Sequence, residues 1–189
     1  MRDATSAAWV HEGLRQGFET VFIRETTRGW RFSGHVAAVE GGVAWSVRYA
    51  ITVDSRWRTR SARVRTWDPR ATSHVVLRHD GSGAWTIDGC PAAFLEGCLD
   101  VDLEASACTN TFPVHRLSGE HGAVETPAAY VRLRDSAVDR LDQVYAREAS
   151  DADGSRWSYR APQFDFACTL EYDEHALVVH YPGIARRAL

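Results

Sequence analysis

The chain has 189 residues, of which 22 are Arg and none is Lys, 25 are Asp or Glu, and 44% are apolar. A chain of this length can bury a core without disulfides or a structural metal, and we expect one domain over residues 1–189. The net charge of −3 argues against a nucleic-acid partner, and no apolar run approaches the roughly 18 residues that a membrane-spanning helix needs.

The distribution of special residues gives further expectations. Residues 1–14 lack the apolar stretch and cleavage site of a secretory signal, which predicts a cytoplasmic protein. The four Cys and eight His show no ligand spacing, so we predict neither a metal site nor a cofactor. No Ser lies in a nucleophile elbow, and we predict no catalytic residue from a motif.

In chain order, the first candidate element is a short helix over residues 5–17. Residues 43–53 alternate strictly between apolar and small or polar side chains, which predicts a long strand with one apolar face. Residues 99–103 alternate with acidic side chains and predict a half-buried strand. Residues 136–148 fit either a helix or an edge strand, and residues 164–172 again alternate as a strand.

Turn-prone clusters of Gly, Asp, Pro and Ser separate these runs at short intervals. We therefore predict an all-β protein with few short helices, in which a strongly curved antiparallel sheet forms a half-barrel or incomplete barrel. A wide curled sheet is hard to fill with its own side chains, so we expect a hollow on its concave side. Aromatic residues, 11% of the chain, either fill the core or line this hollow; among them are Trp45, Tyr49, Trp57, Trp85, Trp157, Tyr159, Phe164, Phe166, Tyr172 and Tyr181.

An Arg-rich segment follows the long strand. If the strand pattern continues, Arg56, Arg58 and Arg60 share one face, and their guanidinium groups beside Trp57 could hold a phosphate, a carboxylate or a sugar. The alternative is structural: an acidic ladder on an adjacent strand could neutralise them in cross-strand pairs; its members are Asp100, Asp102 and Glu104.

Asp100 and Asp102 also form the Asp-x-Asp pattern that holds a metal and a nucleotide in many glycosyltransferases. That pattern requires an α/β scaffold, and this chain lacks the alternation of strands and helices that builds one.

Several motifs together resemble the bacterial family of glycolipid-binding proteins. They are Leu-Glu-Gly-Cys-Leu-Asp-Val-Asp-Leu at 95–103, Cys-Thr-Asn-Thr-Phe-Pro-Val-His-Arg-Leu at 108–117, Trp57-x-Thr59-Arg60, Gln143-x-Tyr145-x-Arg147 and Tyr181-Pro182. The resemblance implies a β-rich half-barrel similar to the carriers that move lipoproteins and lipids between bacterial membranes. This chain has His115 where the family usually has a second Arg before Arg116.

We therefore favour a non-enzymatic domain that binds a glycolipid or similar amphiphile in the concave face of the sheet. We expect no membrane-spanning segment, and the sequence gives no basis for predicting an oligomeric state. The predicted ligand-binding residues are Trp45, Tyr49, Trp57, Arg58, Arg60, Asp100, Asp102, Asn110, Arg116, Gln143, Tyr145 and Tyr181. An enzyme that acts on a sugar or lipid, with Asp100 or Asp102 as acid or base, is the alternative. A third hypothesis is that Asn110 and Arg116 only tie a loop to the sheet by hydrogen bonds with backbone groups.

Overall fold

The computed structural model describes residues 6–133 and 135–188. The strands are β1 Ser6–His11, β2 Arg15–Thr26, β3 Gly29–Glu40, β4 Val43–Asp54, β5 Thr59–Trp67, β6 Thr72–His79, β7 Trp85–Ile87, β8 Cys90–Pro91, β9 Asp100–Leu103, β10 Ala123–Glu125, β11 Ala128–Val131, β12 Val138–Leu141, β13 Val144–Ser150, β14 Gly154–Ala161, β15 Phe166–Asp173, β16 Val178–Tyr181 and β17 Ala185–Arg187. Helix α1 spans Thr111–Arg116, and three 3-10 helices span Ala93–Leu95, Cys108–Asn110 and Pro162–Phe164.

Fourteen strands form one antiparallel sheet in the order β10-β13-β14-β15-β16-β17-β1-β2-β3-β4-β5-β6-β7-β8. The terminal strands β1 and β17 pair with each other in its middle. The outer strands β10 and β8 do not meet, so the sheet is open, and the predicted all-β half-barrel is confirmed. Among the described residues, no helix is long and apolar enough to cross a membrane.

The helix predicted over residues 5–17 is wrong, although Thr5 itself lies outside the described residues. Strands Ser6–His11 and Arg15–Thr26 occupy this segment and form a hairpin. Ala7, Trp9 and His11 are buried in alternation, and this period of two buries one face of a strand. The tertiary context therefore decided against the helical spacing that the short sequence also permits.

The other predicted elements are strands with adjusted ends. The strand over residues 43–53 is confirmed as β4, whereas the strand over residues 164–172 begins only at Phe166 because Phe164 belongs to a 3-10 helix. Residues 136–148 contain β12 and β13, so the strand alternative was correct and the helix was wrong. Of these two strands, β12 lies at the edge of a second sheet of order β12-β11-β9, whereas β13 lies inside the large sheet.

This second sheet, with α1 and its preceding 3-10 helix, packs into the concave side of the large sheet. Val101, Leu103, Phe112 and Leu141 belong to one continuous core with the inner side chains of the large sheet, such as Trp9. The expected hollow is therefore largely filled by the chain itself. Strand β9 is buried on both faces rather than half-buried, and it pairs with β11 in parallel, unlike the antiparallel pairs of the large sheet.

A buried carboxylate ties this inner layer to the large sheet. Glu19 on β2 is fully buried and accepts hydrogen bonds from the Tyr49 hydroxyl at 2.6 Å, the Ser106 hydroxyl, and the Ala107 N–H at 2.8 Å. Tyr49 reaches Glu19 by lying over Gly34, where an added Cβ would come within 2.0 Å of its ring. Burial raises the pKa of Glu19 above its usual value.

Candidate functional site

A cavity of about 210 Å³ remains between the inner face of β14 to β16 and the second sheet. We call it the Asp102 cavity. Its lining residues are Asp102, Leu103, Glu104, Ser106, Asn110, Tyr130, Leu141, Tyr159, Ala161, Phe164, Phe166, Tyr181 and Ile184. The set joins aromatic rings with a few fixed polar groups, which is the usual composition of a small-molecule site.

The Asp102 carboxyl group is the main polar feature of this cavity. Its Oδ1 accepts a hydrogen bond from the Thr109 hydroxyl at 2.8 Å, and its Oδ2 accepts one from the Gln143 amide at 2.6 Å. Burial raises the pKa of Asp102 to about 6, although both hydrogen bonds favour the charged form. Near neutral pH the group can therefore accept hydrogen bonds from a ligand, and in mild acid it can donate one.

Asn110 brings an unused donor to the same cavity. The residue is 2% exposed, and its Oδ1 accepts a hydrogen bond from the Tyr145 hydroxyl at 2.7 Å. The Asn110 Nδ2 group has no hydrogen-bond partner among the residues that the structure describes. Because an unpaired buried amide is costly, this N–H group is a candidate to bind a ligand acceptor.

Aromatic rings form the apolar wall. Tyr159 and Tyr181 meet edge to face with 5.8 Å between ring centroids, and Phe166 lies 6.0 Å from Tyr181. Tyr130 and Phe164 lie 5.4 Å apart, and Phe164 is 54% exposed. Phe164 therefore marks the side on which the cavity opens to solvent.

Comparison with known proteins places this architecture in a family. A family described as "Putative glycolipid-binding" matches residues 6–187. The chain belongs to this family. It is also similar to the crystal structure of a DUF1089 family protein from Pseudomonas aeruginosa, with a TM-score of 0.77 and 26% identity over 89% of this chain and 91% of that one. No curated protein matches the chain.

The central motif of the glycolipid-binding family builds the layer that fills the half-barrel. Arg116 donates two hydrogen bonds to Asp100, from Nη1 to Oδ1 at 2.6 Å and from Nη2 to Oδ2 at 2.7 Å. The Asp100 side chain is 2% exposed and that of Arg116 is 16% exposed. Neither residue lines the Asp102 cavity. Their pairing agrees with the structural hypothesis for Arg116, through side chains rather than backbone groups.

The second family motif, around Trp57, does not continue the strand. β4 ends at Asp54, and Trp57 has a left-handed φ of 61° in the turn before β5. The Trp57 ring lies between Trp30, at 4.2 Å, and His115, at 3.6 Å, with all three rings nearly parallel. Burial lowers the pKa of His115 to about 4, so the ring stacks in its neutral form.

The predicted Arg face on this segment is wrong because the turn breaks the alternation. Arg58 pairs with Asp54 at 2.9 Å, and Arg60 donates to the Asp80 carbonyl. The cross-strand acidic ladder is also absent in the described residues, since Asp100 pairs with Arg116, Glu104 pairs with Arg15, and Asp102 accepts hydrogen bonds from uncharged side chains. Thr59, between the two arginines, accepts the Val101 N–H on its Oγ1 at 3.1 Å and so joins β5 to β9.

The structure brings only part of the predicted site together. Asp102, Asn110 and Tyr181 line the cavity. Gln143 donates a hydrogen bond to Asp102, and Tyr145 donates one to Asn110. Tyr49 belongs to the Glu19 cluster, while Trp45 packs beneath the Arg15 guanidinium at 5.5 Å. Trp57, Arg58 and Arg60 lie outside the cavity.

Sequence reasoning missed several cavity residues. Tyr130 carries no signal of its own, because β11 is a short strand whose parallel partner is distant in sequence. Tyr159 and Phe166 were visible only as members of an alternating aromatic pattern. Ala161 contributes by its small size, which leaves the space open.

Proposed function

We propose that the chain binds a glycolipid or a similar amphiphile, with the sugar head group in the Asp102 cavity. The observation that supports this proposal is the Asn110 N–H group, unpaired among the described residues, in an aromatic cavity that Asp102 also lines. A sugar ring offers hydroxyl groups to both polar side chains and a face of C–H groups to the rings of Tyr159 and Tyr181.

The size of the cavity decides which part of the ligand it takes. Its volume of about 210 Å³ lies below the 300 Å³ at which drug-sized pockets begin, so it suits a single head group rather than an acyl chain. The tail would leave through the mouth beside the exposed Phe164 ring. Apolar contact there would add affinity at about 25 cal/mol per Å² of buried surface.

A cavity-filling variant tests the proposal. Ala161 is 1% exposed and faces the cavity, so Ala161→Leu places added carbon atoms in the head-group space. Ala167 is exposed on the neighbouring strand, and Ala167→Leu makes the same change away from the cavity.

Titration calorimetry with n-octyl β-glucoside should show binding to the wild type and to Ala167→Leu, and its loss in Ala161→Leu with the melting temperature retained. Decanoate, which lacks a sugar, should bind more weakly than the glucoside. Absence of glucoside binding to the wild type, or equal binding to Ala161→Leu, would refute the proposal.

The pKa of Asp102 favours a second candidate function. A carboxyl group with a pKa of about 6 in a ligand cavity is suited to exchange protons as a general acid or base. The alternative is hydrolysis of a glycoside by the proposed site, with Asp102 as the proton donor. It predicts that the wild type cleaves 4-nitrophenyl glycosides while Asp102→Asn still binds n-octyl β-glucoside without cleaving them. A wild type that binds the glucoside and shows no cleavage supports a binding protein.

A further inference from the structure

The outer face of β2 to β6 carries a second feature, unrelated to the cavity. The strand registers place its outward side chains in four rows across the five strands. We call these rows the basic face; they are Phe18, Ala37, Ser46, Trp67 and Thr72, then Thr20, His35, Arg48, Arg65 and His74, then Phe22, Ser33, Ala50, Arg63 and Val76, then Arg24, Arg31, Thr52, Ser61 and Arg78.

Positive charge on this face is concentrated and unneutralised. The rows hold six of the 22 Arg residues and none of the 25 acidic ones, in a chain whose net charge is −3. The same strands carry four acidic side chains outside these rows: Glu19 is buried, Glu40 pairs with Arg15, Asp54 pairs with Arg58, and Glu25 lies at the exposed end of β2. Within the described parts of the chain, none of the six Arg forms an ion pair.

The arrangement costs stability in the free protein. Arg48 lies directly opposite Arg65 in the β4–β5 register. Like charges at directly opposed positions repel each other. A groove of about 670 Å³ runs between these side chains, with Ala50 and Val76 along it. Negative groups seated in the groove would relieve the repulsion.

Exposed apolar side chains lie beside the charges. Phe18 and Phe22 on β2 are 59% and 61% exposed, and Val39, which follows the outward register of β3, is 42% exposed. Large exposed rings next to arginines are the combination that binds a membrane surface, where rings enter the head-group region and cations meet anionic lipids. The backbone of a duplex nucleic acid would use the arginines and leave both Phe rings in water.

We propose that the basic face docks the protein onto the surface of an anionic lipid bilayer. The arginines bind lipid phosphate groups in and around the groove, and Phe18 and Phe22 enter the interface. The proposal stands on the charge and exposure of this face and does not depend on the Asp102 cavity.

Vesicle co-sedimentation tests it, with vesicles of phosphatidylcholine and phosphatidylglycerol compared with phosphatidylcholine alone. An Arg near an anionic surface strengthens binding about fivefold, so Arg48→Gln with Arg65→Gln should weaken binding to anionic vesicles about 25-fold. Added salt should weaken wild-type binding because it screens these charges. The matched control is Arg156→Gln with Arg160→Gln, which removes equal charge from the exposed outer side of β14 and should bind as the wild type does.

Two further measurements separate the alternatives. Phe18→Ser with Phe22→Ser should weaken vesicle binding at high salt as well, because the apolar contribution is not screened. Ala161→Leu should bind vesicles like the wild type, which keeps this result distinct from the cavity experiment. The proposal fails if anionic vesicles do not bind, if the control pair loses as much affinity as Arg48 and Arg65, or if an oligonucleotide binds at least as tightly as the vesicles.

Discussion

The buried ion pair between Asp100 and Arg116 allows a sharp test of what the family motif does. Asp100→Asn keeps the shape of the side chain but leaves the Arg116 guanidinium without its bidentate partner, where its side chain is only 16% exposed. Removal of one partner from a buried pair costs about 3–5 kcal/mol of unfolding free energy. In a chain of this size, such a loss lowers the melting temperature by about 6–20 °C.

Urea unfolding followed by tryptophan fluorescence measures this change. The double variant Asp100→Leu with Arg116→Met replaces both charges by apolar groups, and it should recover most of the loss, because two buried charges are costly to remove from water. Asp135→Asn is the exposed control: its pair with Arg132 has side chains 54% and 47% exposed, so its loss should stay below about 1 kcal/mol.

Two results would contradict this prediction: a cost below about 1 kcal/mol for Asp100→Asn, or a double variant that is no more stable than the single one. Either outcome would mean that the two charges are not tightly coupled in the folded protein. Arg116 would then be available to an anionic ligand, in agreement with its prediction from the sequence as a ligand-binding residue.

Three further changes in stability follow from the structure. Burial raises the folded-state pKa of Asp102 to about 6, so the protonated carboxyl group stabilises the fold below about pH 4 and this stabilisation is lost as pH rises through 6. In urea titrations, the stability of Asp102→Asn relative to wild type should therefore rise by up to about 3 kcal/mol from pH 4 to pH 7. The pH dependence due to His115 has the opposite sign, because its folded-state pKa is lowered to about 4: the unfolding free energy of the wild type should fall by up to about 3 kcal/mol as pH falls from about 6.5 to 4. His115→Phe keeps a ring stacked on Trp57 and should lack this pH dependence. Tyr49→Phe removes one donor from the buried Glu19 carboxylate and should lower the urea-unfolding free energy by about 1–3 kcal/mol, and an unchanged midpoint would contradict the assigned hydrogen bond.

Local patterns in the sequence were sufficient for the fold class. Strict alternation over residues 43–53 and the regular turn residues predicted long strands and an open curved sheet, because strand periodicity is a property of neighbouring residues. The motif at 95–117 was sufficient for family membership. The same patterns could not place residues 5–17, where a short apolar segment satisfies both helix and strand spacing.

Only the tertiary structure decided where the site lies. Asp102 and Asn110 meet Tyr130 and Tyr181 because the second sheet folds into the half-barrel, and this juxtaposition joins segments far apart in sequence. The turn at Trp57 breaks the strand alternation, so Arg58 and Arg60 do not share a face but bind Asp54 and the Asp80 carbonyl separately. The basic face likewise exists only through registers across five strands, each of which contributes one or two of its arginines. Alternation determines which side of a strand is buried, whereas pairing between distant strands determines which side chains meet.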